Sequence, residues 1–138
     1  MQARQGLLET AIYARDLDAA EAFYRDVFGL DLVSKVPGRL VFFRCGQQML
    51  LLFNPDKSRQ VNPNIPIPRH GTEGEGHFCF RARDGAEIDA WCAHFARLGV
   101  AVEHLHVWPN GARSVYVRDP AGNSVEVGEA AMWDFPPE

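Results

Sequence analysis

Ala20-Glu21-Ala22-Phe23-Tyr24-Arg25-Asp26-Val27-Phe28-Gly29-Leu30 decides the fold, because its pattern returns once more along the chain. Ala20, Phe23, Val27 and Leu30 stand at offsets 0, 3, 7 and 10, one face of an amphipathic helix over 18–28. Asp18 followed by Glu21 reads as a capping box, and Gly29 as the C-terminal stop. Ile88, Trp91, Phe95 and Leu98 repeat the same offsets, with Asp84 and Glu87 ahead of them and Gly99 behind. The two copies lie 68 to 70 residues apart. Shared caps, stripe and stop identify a duplicated unit.

Working outward, each helix follows one strand, 7–15 and 76–83, and precedes three more. In the first unit these are 31–36, 39–44 and 48–53, separated by Pro37-Gly38 and Cys45-Gly46-Gln47. In the second they are 101–107, 112–118 and 124–128, separated by Pro109-Asn110-Gly111 and Asp119-Pro120-Ala121-Gly122-Asn123. These clusters carry turn chemistry. Each unit is thus β-α-β-β-β, and the fold class is α+β. Module 1 covers about 7–53 and module 2 about 76–128, with a tail over 129–138. The aperiodic stretch 54–75, with four prolines, reads as a linker whose second half, 65–70, can also cover a site.

The 138 residues bury enough surface for a self-sufficient core, and 46% hydrophobic against 23% charged residues excludes wholesale disorder. A net charge of −4 offers no general attraction to nucleic acid or an anionic membrane. Three scattered cysteines without a CxxC exclude a disulfide framework and a thiolate zinc site. The start has no apolar stretch like that of a signal peptide, and the longest apolar run, Met49 to Phe53, is far short of a membrane span. The expected setting is soluble, reduced and cytoplasmic.

Strand parity then assigns faces. Leu8, Thr10, Ile12 and Ala14 oppose Leu7, Glu9, Ala11 and Tyr13; Phe78, Phe80 and Ala82 oppose His77, Cys79 and Arg81. The apolar faces pack on the helices, leaving Glu9 and His77 on the open faces. Glu9 stands seven residues before Asp16 and His77 seven before Asp84, so they are equivalent positions of the repeat. Glu126, between Val125 and Val127, points away from the valine face. A carboxylate inside an apolar strand is costly unless paired or metal-bound, so Glu9, His77 and Glu126 are candidate metal ligands on one cavity. The alternative is a structural pairing of an inward Glu with Arg81 or Arg113. His104 and His106, two apart on a strand, read as a surface or rim pair.

Asp16-Leu17, the run Ala22 to Leu30, and the ending Tyr116-Val117-Arg118-Asp119-Pro120-Ala121-Gly122-Asn123-Ser124-Val125-Glu126 resemble the vicinal oxygen chelate superfamily over about residues 7–128. Its members include glyoxalase I, fosfomycin-resistance proteins, extradiol dioxygenases and bleomycin-binding proteins. The resemblance implies two βαβββ modules forming a curved mixed sheet around a metal-binding cavity. It carries the metal positions onto Glu9, His77 and Glu126, with Glu9 where His or Gln is common. The further carboxylate that glyoxalase I draws from its first module has no counterpart within Met49–Phe53. By resemblance to fosfomycin-resistance proteins, Ser114 and Tyr116 face the cavity and bind substrate.

Two carboxylates and an imidazole suit Mn²⁺, Fe²⁺, Ni²⁺, Mg²⁺ or Zn²⁺, leaving positions for substrate oxygens. The expected activity is a glyoxalase-like lyase or isomerase stabilising an enediolate or similar oxyanion, with Glu9 or Glu126 as general base. Glutathione is a possible co-substrate. The alternatives are an extradiol-type dioxygenase, a thiol transferase, and a non-enzymatic small-molecule or antibiotic binder. A C₂ homodimer is expected; the reach of 54–75 permits the modules to pair within one chain or between two, the second arrangement combining Glu9 of one chain with His77 and Glu126 of the other.

Overall fold

The computed structural model describes residues 4–138 and divides into two units, Met1–Gly74 and Glu75–Glu138. The first contains β1 (Glu9–Tyr13), α1 (Leu17–Asp26), β2 (Asp31–Val36), β3 (Leu40–Cys45), β4 (Gln48–Phe53) and a single-turn helix α2 (Pro55–Ser58). The second contains β5 (His77–Ala82), α3 (Gly85–Leu98), β6 (His104–Val107), β7 (Arg113–Arg118), β8 (Ser124–Glu129) and a 3₁₀ turn over Ala130–Trp133. Sheet order is β1-β4-β3-β2 in one unit and β5-β8-β7-β6 in the other. Each sheet is mixed: β1 runs parallel to β4 and β5 to β8, and the remaining pairs are antiparallel. The expected α+β class and the two βαβββ modules are both present. Among the described residues no helix is long and apolar enough to cross a membrane.

Parity builds the core of each unit. Ile12, Val41, Phe43, Leu50 and Leu52 point to one side of the first sheet and are buried with Leu17, Ala20, Tyr24 and Val27 of α1 and its C-cap. In the second, Val115, Val117, Val125 and Val127 are buried with Ile88 and Phe95 of α3.

The helix phase differs from the expected one. Asp16, not Asp18, caps α1, its side chain accepting from the Ala19 amide at 3.0 Å. The buried stripe is therefore Leu17, Ala20, Tyr24 and Val27, with Tyr24 fully enclosed and Phe23 half-buried at the edge. Glu21 serves no cap. It receives Lys35 Nζ at 2.7 Å from β2 and Arg25 at 3.1 Å, and chiefly the Lys35 bond lowers its carboxyl pKa. In α3 the expected cap holds: Asp84 accepts from the Glu87 amide at 3.0 Å, and Glu87 accepts from the Arg83 amide at 2.7 Å. Leu98 is 47% exposed, because it ends the helix just before Gly99 turns the chain with φ 69°.

Of the stretch 54–75, residues 54–74 are built onto the first unit, while Glu75 begins the second and pairs with Arg118. Asn54 caps α2, and the His70 amide donates to the Ser58 carbonyl at 3.2 Å. Arg15 grips Asp56 and Glu73, while Arg59 grips the same two carboxylates. Asp56 is lowered first by its Arg15 bond, Glu73 first by its Arg59 bond. Folded values below the unfolded ones mean stabilisation present above the ordinary carboxylate range, roughly pH 4, and lost as pH falls through the lowered values. All four side chains are at least a third exposed, so salt screens the effect. Amide exchange over 56–73, corrected for intrinsic rates, is expected to accelerate below pH 4 or in high salt before that of β3 and β4. Simultaneous loss would mean the network anchors nothing locally.

Candidate functional site

On the second sheet, the face turned away from α3 collects the polar residues. Register places Cys79 and Tyr116 on either side of Glu126, Ser124 beside His77, and Ser114 beside Gly128. Because β8 is central, Glu126 is only 4% exposed. His77 Nε2 stands 3.2 Å from Glu126 Oε1. The other ring nitrogen, Nδ1, is 3.0 Å from the Ser124 carbonyl, which can only accept, so Nδ1 carries the proton. Nε2 and Oε1 then face one another as two acceptors unless a proton or a cation lies between them. Glu126 Oε2 is buried and has no hydrogen-bond partner among the described residues.

These atoms fit a divalent ion: an imidazole nitrogen oriented by a backbone carbonyl on its far side, and a carboxylate with an uncompensated buried oxygen. Gly128 keeps the space open. A Cβ there would stand 2.9 Å from Ser114 Oγ and 3.1 Å from both Cys79 Sγ and Glu126 Oε2. Burial, and then the Glu126 charge, raise the pKa of the Tyr116 phenol and push the Cys79 thiol up to about 12, although Cys79 keeps an exposed edge. A smaller contribution to both shifts comes from side-chain hydrogen bonding to the Glu126 carboxylate.

The Asp119–Asn123 turn sets this arrangement. Asp119 accepts from the Ala121 and Asn123 amides, and Asn123 Oδ1 accepts from the Gly76 amide at 2.8 Å. Ser124 N then donates to the Gly76 carbonyl, which brings β5 into register with β8 one residue before His77. The alternative of an arginine partner for Glu126 fails: Arg113 bonds Asp89 and the Gly85 carbonyl, and Arg81 reaches the Pro136 carbonyl and lies over Phe135. Ser114 is buried, its hydroxyl accepting from Trp108 Nε1 at 2.9 Å and donating to Met132 Sδ at 3.4 Å. Tyr116 stacks with His77 at 6.3 Å and meets His104 at 6.1 Å. His104 and His106 lie on the edge strand, their rings joined by a 3.1 Å bond, and His106 meets Trp108 at 4.5 Å.

Glu9 lies in the first unit, exposed at the start of β1 and paired with Met49. It borders a cavity of about 960 Å³ floored by the open face of the first sheet and roofed by part of 58–70. Tyr13 on the floor bonds His70 Nδ1 in the roof at 2.7 Å, and Phe53 meets that imidazole edge-on at 4.5 Å. Among the described residues no group of three or more His, Cys, Asp and Glu side chains is placed to hold a metal. His77 and Glu126 are brought together; Glu9 is not shown beside them. Cys79, Gly128, Tyr13 and His70 were not singled out from the sequence. For Cys79 and Tyr13 a signal existed, since each shares strand parity with a candidate ligand.

The family model of the Glyoxalase/Bleomycin resistance protein/Dioxygenase superfamily matches residues 6–127. A crystal structure of lactoylglutathione lyase from Agrobacterium tumefaciens is 63% identical, with TM-score 0.96 over 97% of this chain and 100% of that one. A glyoxalase/bleomycin resistance protein/dioxygenase structure from Alicyclobacillus acidocaldarius, 24% identical with TM-score 0.66 over 94% of each chain, shares the fold. Catechol-2,3-dioxygenase of Bacillus subtilis is 26% identical over 113 residues, 82% of this chain, which spans 37% of that relative's length.

Proposed function

The chain belongs to the Glyoxalase/Bleomycin resistance protein/Dioxygenase superfamily, and from that premise we propose that it is a divalent-metal-dependent lyase or isomerase moving a proton beside a carbonyl of a small oxygenated substrate. The observation that carries the reading is the buried, partnerless Glu126 Oε2 beside His77 Nε2. The 63% identity to a lactoylglutathione lyase supports the reaction class. His77, Glu126 and Glu9 would hold the ion, drawn from Mn²⁺, Fe²⁺, Ni²⁺, Mg²⁺ and Zn²⁺. When bound, it supplies Lewis acidity to adjacent substrate oxygens.

The protein's own groups do the rest. The Ser124 carbonyl holds the imidazole in one tautomer. Tyr116, kept protonated by its raised pKa, donates to a substrate oxygen, and Ser114 fixes the wall through Trp108. Glu9 or Glu126 takes the proton from carbon and returns it. Protein loaded with Mn²⁺ or Ni²⁺ is expected to isomerise glutathione hemithioacetals or related thiol adducts. No turnover with any of these ions overturns the activity, and absence of stoichiometric metal leaves a non-enzymatic binder.

The catechol-2,3-dioxygenase likeness favours one second reading, ring-opening oxygenation with Fe²⁺, which oxygen uptake on catechol tests. Iron-dependent oxygenases commonly use two histidines and one carboxylate, the reverse of this set.

The third donor is taken to be the partner subunit's Glu9 in a C₂ homodimer. Glu9→Ala and Glu126→Ala proteins, each defective alone, are then expected to regain part of their metal binding when mixed, since one site in each mixed dimer is intact. A monomer by light scattering, or no recovery despite subunit exchange, overturns the shared site.

A further inference from the structure

The cavity of the first unit has a graded floor. Register sets Glu9, then the Ala11–Leu51–Phe42 row, then the Tyr13–Phe53–Leu40 row along the strands. At roughly 3.3 Å per residue, Glu9 and Tyr13 are about 13 Å apart. Between them the floor is hydrocarbon and aromatic ring.

The far end carries the opposite charge. Arg39 directly precedes Leu40, and Arg69 directly precedes His70, which is bonded to Tyr13 and packed on Phe53. Both arginines border the cavity, where Glu9 is the sole carboxylate among the bordering residues. Among the described residues neither arginine has a carboxylate partner, and Arg69 reaches only the Arg59 carbonyl at 3.5 Å. Arg15, Arg25 and Arg59 of this unit are ion-paired, while Arg44, which shows no ion pair among the described residues either, does not border the cavity. Two uncompensated guanidiniums at one end of an apolar chamber form a receptor for an anion attached to an apolar body.

We propose that this cavity binds a molecule whose hydrocarbon or aryl body lies on the Ala11–Leu51–Phe42 floor and whose terminal carboxylate is received by Arg39 and Arg69. With Glu9 at the other end, this names the substrate class of the proposed enzyme and in that respect rests on that reading. The anion end needs no metal. Free glutathione, with amides and charges along its length, offers no extended apolar body for this floor, so in a thiol adduct the part lying there is the hydrocarbon or aryl group joined to the thiol.

Calorimetric titration of the full-length, chelator-treated protein tests this with phenylhexanoate and phenylhexanol. The carboxylate is expected to bind at least tenfold more tightly than the alcohol, and glutathione at least tenfold more weakly than the carboxylate. Arg39→Gln with Arg69→Gln removes the advantage of the carboxylate and leaves the alcohol unchanged, whereas Arg39→Lys with Arg69→Lys keeps part of it. Ala11→Phe, which fills the floor, weakens both probes. Thermal melts confirm that each variant is folded. Equal binding of acid and alcohol, or glutamine variants that still prefer the acid, overturns the proposal. Metal titration of the same samples separates the two claims: normal metal binding without acid preference overturns this one alone, and acid preference without metal binding overturns the proposed function alone.

Discussion

Glu126→Ala is expected to lose at least a hundredfold in divalent-metal affinity, about 2.7 kcal/mol, while the metal-free protein melts no lower than the parent. The two halves of this expectation have one cause. Glu126 Oε2 is buried without a hydrogen-bond partner, a state that costs roughly 1–3 kcal/mol, or more for a charged group, in the absence of a ligand. Removing the carboxylate takes that cost away and strands nothing, because His77 is half exposed and keeps its bond to Ser124. Glu126→Gln, of the same shape, separates charge from packing and should lose metal nearly as completely. Titration calorimetry and apo-protein melts read both quantities. A metal-free variant several kcal/mol less stable, with metal binding unchanged, would make Glu126 a structural residue and end the metal assignment.

Phe43→Ala is expected to cost about 3–5 kcal/mol, a large fraction of the 5–15 kcal/mol available to a domain. Phe43 is fully buried on the helix side of β3, with its ring 6.1 Å from that of Tyr24. Its neighbour Phe42 points to the other side, half-buried over the cavity and 5.3 Å from Phe53. Phe42→Ala should therefore cost under about half as much, while enlarging the chamber. Urea midpoints of the two variants give the comparison. Equal costs would mean that the two faces of the sheet are not as different as strand parity requires.

Much of this architecture was legible because it rests on local rules. The stripe recurs at 68 residues from Ala20 to Ile88, with caps and stop repeating within two residues of that spacing, and alternation on the strands sent Ile12 and Val127 inward and Glu126 to the other face. The phase of α1 was not legible. Asp16 and Asp18 are equally able to cap, and only packing of Tyr24 against Phe43 selects the helix that starts at Leu17. Leu98 belongs to the right periodic stripe, yet it sits on the helix's last turn, where little protein remains to cover it.

The site divides along the same line. Sequence by itself determined the fold class, the duplication and which residues could turn toward the open face of each sheet, since alternation and helical periodicity act over a few residues. Only tertiary structure decided what those residues meet: His77 against Glu126 and not an arginine, Ser114 under Trp108, and 58–70 as the roof of a cavity ending in Arg39 and Arg69. Those contacts join residues 6 to 57 positions apart, and no short-range pattern carries them because they are set by strand pairing and by the room Gly128 leaves between neighbouring side chains.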